Sequence, residues 1–306
     1  MRTLALCKFV AALVPLCLPG GFGVLASIPA AECTWTGGSS DTNWSTPQNW
    51  AVAPPVPTID TLVFTGDKGV NNHNDSPKGS GFTGIIFDQN AAAFSLSGNA
   101  IGLGGNVFNR STRTQNINMF LTLRGDRTFT TMAGGGNIIL NGNIGGDSGI
   151  IIAGDGVVTL NRATTYLGKT TIRSGTLLLG DGGAIGASAG VVLQGGTLAI
   201  GANGLSAVAG ALTVSAPSVI DFKGVGQKLL FKDSRAQTWT GKLSVYHWDR
   251  SNTLTFGKDN DALTGEQLDR IAFYSDAGST LLDKGTWPGH PSEITDTNPP
   301  PAQAGK

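Results

Sequence analysis

Charge is scarce in this sequence. Asp, Glu, Lys and Arg make up 14% of its 306 residues, against roughly 25% in typical soluble domains. The 21 basic and 21 acidic residues leave no formal net charge. Such a balance supplies no long-range attraction for nucleic acid or an anionic membrane. Histidine is rarer still: His73, His247 and His290 are the three available. Cysteine occurs at positions 7, 17 and 33, and the first two fall in an N-terminal apolar segment. Once that segment is removed, neither a disulfide framework nor a cysteine-based zinc site can be built from Cys33 alone. Beyond the N-terminus no stretch offers about 18 unbroken apolar residues, so no transmembrane helix is expected after signal removal.

What is present is glycine, at 45 residues, with 40% hydrophobic content. That much apolar material is too high for a disordered chain. Abundant Gly, Thr and Asn with short aliphatic runs point to many short strands joined by tight turns. The N-terminus reads as a secretory signal. Arg2 and Lys8 are its basic residues, Phe9 to Leu18 its apolar core, and small residues around Ala26 to Ala31 the cleavage region. An uncleaved anchor is the alternative, against which the apolar core is short.

The chain divides into a signal at 1–31, a Trp- and Pro-rich N-terminal cap at 32–66, a β-solenoid at 67–215, a C-terminal cap at 216–280 and a mobile tail at 281–306. Strands are expected at Ile59–Phe64, Ile85–Phe87, Phe120–Leu123 and Asn137–Leu140. The solenoid assignment rests on a repeat. Ser174-Gly175-Thr176-Leu177-Leu178-Leu179-Gly180 recurs as Gly195-Gly196-Thr197-Leu198-Ala199-Ile200-Gly201, a shift of 21 residues. The same shift carries Thr170 and Ile172 onto Val191 and Leu193, then onto Leu212 and Val214. A fixed period with strands, glycine turns and no intervening helix indicates stacked coils. Leu177, Leu179, Leu198 and Ile200 would face inward, and Gly175, Gly180, Gly196 and Gly201 would supply positive φ at the corners. Ordinary antiparallel hairpins are the alternative and need no fixed coil length. One helix is expected, Thr264 to Arg270, opened by a capping box of Thr264 and Gln267.

The stretch Gly154-Asp155-Gly156-Val157-Val158-Thr159-Leu160-Asn161, followed by Thr165-Tyr166-Leu167-Gly168-Lys169-Thr170 and Ser174-Gly175-Thr176-Leu177, resembles the autotransporter-associated β-strand repeat family. The repeat occupies about 149–180. The flanks, Thr34-Trp35-Thr36-Gly37 and Asn252-Thr253-Leu254-Thr255-Phe256-Gly257, are similar as well. The resemblance implies a right-handed parallel β-helix, exported and often presented at the cell surface as a passenger. It implies no shared catalytic site. The sequence departs from complete autotransporters in having no C-terminal set of barrel strands, so release or non-covalent retention at the surface is the expectation.

Several motifs invite chemistry and lack a required partner. Gly146-Asp147-Ser148-Gly149 looks like a protease nucleophile motif, but no histidine stands in a matching context and a turn is the plainer reading. Gly168-Lys169-Thr170 ends like a phosphate loop, yet Ala163 stands where a glycine is required and a strand follows. Gly180-Asp181-Gly182-Gly183 fits a corner better than a dinucleotide loop. Asp147, Asp155 and Asp181 lie eight and 26 residues apart, off the 21-residue period, so no paired-carboxylate or calcium site is expected. Trp35, Trp44 and Trp50 are candidate glycan-stacking platforms, with cap packing as the alternative. The expectation is a secreted or surface-exposed, non-enzymatic solenoid without cofactor or metal. Cell-surface polysaccharide or other surface proteins are its expected partners. An adhesive module using Trp or Asn/Thr ladders is second, and a polysaccharide-active enzyme third.

Overall fold

The computed structural model describes residues 31–180, 183, 185–201, 206–259, 261–278, 281–286 and 293–296. The expected signal at 1–31 therefore lies, but for its last residue, outside the described residues. The chain winds into parallel coils that stack strands on three faces. The first stack begins at Glu32–Trp35, Thr61–Phe64 and Gly84–Phe87. It continues through Val107–Asn109, Arg127–Thr131, Ile150–Gly154 and Thr170–Ile172. The second runs from Asn71–Asn74 to Ile271–Tyr274. The third is a four-stranded sheet of Ser80–Phe82, Ile101–Leu103, Leu121–Leu123 and Ile144–Gly145. Two nine-residue strands, Ile185–Leu193 and Ser206–Val214, run along more than one face. Residues 190–193 pair with 211–214, whereas 206–209 pair with Lys228–Phe231.

The expected repeat appears directly as strand register. Thr170 pairs with Val191, and Thr176 with Thr197. Every coil keeps its inward residues in columns. Leu62, Ile85, Val107, Phe129, Ile152, Ile172, Leu193 and Val214 are successive partners and all buried. On the second face the column is Leu96, Ile117, Leu140, Leu160, Leu179, Ile200 and Phe222. Each such side chain contributes about 1.5–3 kcal/mol on burial, and none could be buried by its own coil.

Parallel pairing does not respect the boundaries expected at 66 and 215. Thr61–Phe64 pairs with Gly84–Phe87 across the first, and Thr197–Ile200 with Ser218–Phe222 across the second. The segment read as a C-terminal cap supplies further coils, longer ones: Ser218 meets Leu243, and Leu243 meets Ile271. The added loop length obscures the period without ending the stack. Antiparallel strands close the end instead. Leu281–Thr286 pairs with Ile271–Tyr274, and Glu293–Asp296 pairs with Thr253–Phe256. Both come from the segment expected to be a mobile tail. They occupy edges that would otherwise offer unpaired backbone groups. The one α-helix among the described residues is Gly265–Leu268, with both capping-box bonds formed between Thr264 and Gln267.

The glycine corners need one correction. Gly175 has φ +65°, but Gly180, Gly196 and Gly201 have no positive φ. Space is the constraint there. A Cβ at Gly180 would collide with Asn161 Oδ1, and one at Gly196 with Ile172 Cγ2. The Tyr166-x-Gly168-x-Thr170 motif acquires a similar reason. Tyr166 is buried, its hydroxyl 2.6 Å from that of Thr170, which donates onward to Ser188 Oγ at 3.2 Å. Burial pushes the phenol's ionisation well above its ordinary value, and the bonds to Thr170 and Thr164 oppose that. Gly168 lets its coil approach Gly149 more closely than any Cβ would permit.

Candidate functional site

One outward edge of the second stack is built from a single position in successive coils. Asn118, Asn141, Asn161, Gly180, Gly201 and Lys223 each donate their backbone N–H to the coil before, at Leu96, Ile117, Leu140, Leu160, Leu179 and Ile200. Three of the six are asparagines, and their side chains form a ladder. Asn161 Nδ2 donates to Asn141 Oδ1 at 2.7 Å, Asn141 Nδ2 to Asn118 Oδ1 at 2.8 Å, and Asn118 Nδ2 to Ser95 Oγ at 2.8 Å. Asn118 is exposed and the other two are half-exposed. An amide has two donors and two lone pairs, so each rung keeps capacity beyond the ladder. The ladder stops at Gly180, where a side chain would strike Asn161.

Asn141 is both donor and acceptor, so Asn141→Ala should remove two bonds. A loss of about 1–2 kcal/mol is expected, from about 0.5–1.5 kcal/mol per bond, measured by urea denaturation. No change in the midpoint would show that the ladder contributes nothing to stability.

Farther along this edge the chemistry becomes ionic. Asp221 is buried, with Lys223 Nζ on Oδ2 and His247 Nδ1 2.7 Å from Oδ1. Lys223 and His247 remain 47% and 42% exposed. His247 is out of sequence with the coil. Asp221 pairs with Tyr246, so the next inward residue after Phe222 should be residue 247. The aromatic ring that meets Phe222, at 5.4 Å, is instead that of Trp248. One extra residue is extruded, as in a β-bulge. His247 takes φ +50°, one of two non-glycine residues with positive φ among the described residues. Its backbone N–H donates to the Asp276 carbonyl. An open depression of about 310 Å³ lies here, lined by Phe222, Lys223, Gly224, Val225 and His247. Its loop wall is anchored: Gly226 N–H donates to Ser251 Oγ at 2.9 Å, and Gln227 N–H to Asn252 Oδ1 at 2.9 Å. Beside it, Asp249 accepts from the Ser251 hydroxyl and N–H, and these bonds hold its carboxyl below the usual range.

The sites singled out in the sequence lie elsewhere. Trp35, Trp44 and Trp50 are 0%, 1% and 4% exposed, so they offer no face to a sugar. They fill the first coil instead, with Trp44 against Trp50, Phe64 and Phe82. Burial of apolar surface in the first described coil accounts for this; composition alone could not separate the two uses. Ser148 Oγ accepts from Gly125 N–H of the neighbouring coil at 3.0 Å, a structural bond. Thr170 is buried within the core network, so the Gly168-Lys169-Thr170 segment presents no phosphate loop. Asp181 lies outside the described residues. The Asp221–His247 pair went unread in the sequence because its partners stand 26 residues apart, off the 21-residue period. The Asn-to-Asn spacing of the ladder, 23 and then 20 residues, blurred that signal too.

No protein-family model matches the chain, and no solved structure matches it significantly. Among curated proteins, the adhesin BmaC autotransporter of Brucella suis biovar 1 (strain 1330) is 26% identical over 220 residues. That alignment takes in 67% of this chain and 6% of the adhesin, so the chain spans a small part of its relative's length. The chain is a parallel β-solenoid with similarity to a segment of an autotransporter adhesin.

Proposed function

We propose that this chain is an exported, adhesin-like β-solenoid module that binds cell-surface polysaccharide along the Asn118–Lys223 edge, and that it performs no catalysis. The observation that carries this reading is the asparagine ladder, a row of exposed and half-exposed amides on one edge of the stack. Coils repeat at the inter-strand spacing of about 4.8 Å, so the edge offers hydrogen-bonding groups at regular intervals to an extended, hydroxyl-rich polymer. Similarity to an autotransporter adhesin supports a surface role. The N-terminal signal-like segment, Arg2 to Ala31, supports export. The repeat-family resemblance supports the passenger assignment.

The test is a glycan array probed with purified, folded protein, alongside protease shaving of intact cells that express it. Binding to polysaccharide that weakens in Asn118→Ala/Asn141→Ala, with loss of the protein on shaving, is the expected result. An array without hits, or protein fully protected inside intact cells, would overturn the reading.

A further inference from the structure

Local costs concentrate around Asp221. A buried carboxylate, an extruded histidine and a positive φ at that histidine all occur within one coil contact. Two of the four buried side-chain polar atoms without a hydrogen-bond partner among the described residues are Gln227 Oε1 and Trp248 Nε1. Trp248 follows His247 and packs against Phe222, both of which line the depression. Structures keep such strain and unsatisfied polarity where surrounding packing enforces it, and functional sites are where this is commonest. A coil one residue shorter would place Trp248 under Phe222 without the bulge.

The arrangement presents a definite chemistry. Asp221 takes the Nδ1 side of His247, which leaves Nε2 directed away from the carboxylate. Lys223 reaches the other carboxylate oxygen while its side chain stays largely in solvent. One carboxylate thus positions two basic side chains; with Nδ1–H donating to Asp221, Nε2 can donate to a ligand only from the doubly protonated ring. Apolar surface flanks it. Val225 is 66% exposed on one side. On the other, Tyr246 pairs in register with Asp221 and meets the Tyr274 ring edge-on at 5.4 Å. A monoanion on a ring with C–H faces matches both halves: the carboxylate can meet Lys223 and His247 while the ring lies against Tyr246 or Val225.

We infer that Lys223 and His247 form a subsite for the carboxylate of an acidic saccharide residue, held in place by Asp221. The inference deepens the polysaccharide-binding reading of this edge and rests on it. The shared chemistry is a sugar carboxylate, which a uronate in a polymer or a terminal sialic acid could supply.

Isothermal titration of the full folded protein with oligogalacturonate, with sialyllactose and with a neutral cello-oligosaccharide tests it. At least one acidic probe should bind, with affinity that falls as salt rises. Lys223→Gln and His247→Asn should each weaken it by about tenfold, the loss of one charge-assisted contact. Binding of the neutral probe should not change. Asparagine is chosen at 247 because it tolerates positive φ, and far-UV circular dichroism verifies that both variants fold. The inference is overturned if neither acidic probe binds, or if both variants bind it as the unaltered protein does. The two readings can fail separately. Neutral polysaccharide bound without acidic sugar removes the subsite and leaves the edge. Acidic sugar bound by a protein that shaving never reaches removes the surface role and leaves the subsite.

Discussion

Leu177→Asp is expected to leave no stable β-rich protein. Leu177 is fully buried, paired in register with Val158 on one side and Leu198 on the other. Removing the leucine forfeits about 1.5–3 kcal/mol of burial. The aspartate then places a carboxylate between Val158 and Leu198, both aliphatic and fully buried, at a cost of several kcal/mol more whether it stays charged or takes up a proton. Against a total stability of about 5–15 kcal/mol for a folded domain, that sum is decisive. The damage also spreads, because each coil is stabilised by its neighbours and a break in the middle leaves two shorter stacks. Far-UV circular dichroism and urea denaturation of purified protein measure it. Leu178→Asp is the control. Leu178 is half-exposed on the outward face of the same strand, so its substitution should cost little. Equal behaviour of the two variants would show that the column does not hold the stack together.

Trp44→Ala comes second, with an expected cost of about 3–5 kcal/mol, the range for a buried large aromatic. Trp44 is 1% exposed and packs within 5.8–6.3 Å, ring to ring, of Trp50, Phe64 and Phe82. Its Nε1–H donates to Asn72 Oδ1 at 2.9 Å, and its carbonyl accepts from Trp50 Nε1–H at 2.7 Å. Asn72 is itself buried and its Nδ2 has no partner among the described residues. Truncation would strip its remaining side-chain bond as well. Because the loss falls at the first coils, unfolding should begin there. Hydrogen exchange should accelerate across Thr61–Phe64 and Asn71–Asn74 well before it does at Thr176–Leu179. Uniform acceleration along the chain would argue that these coils are no terminal cap.

These two substitutions mark what could be read without coordinates. Leu177 was legible because successive residues alternate between core and solvent in a strand, and because its segment recurs at a constant interval. The capping box at Thr264 was legible because it is local, complete within four residues. Trp44 was conspicuous, yet a tryptophan serves equally well as core or as a sugar platform, and only its surroundings decide.

Local pattern settles the class of structure: a stack of short strands with inward aliphatic columns and glycines at the corners. Near-neighbour chemistry and a repeated interval suffice for that. Tertiary structure alone decided where the stack ends and what its outer edge offers. Coils beyond 215 lengthen unevenly, so strand pairing, and not period, shows that they continue the solenoid. The Asp221–Lys223–His247 cluster depends on one extruded residue, which no spacing rule predicts. A residue's alternation follows from its own strand, but its neighbour on the next coil is set by the loop length between them.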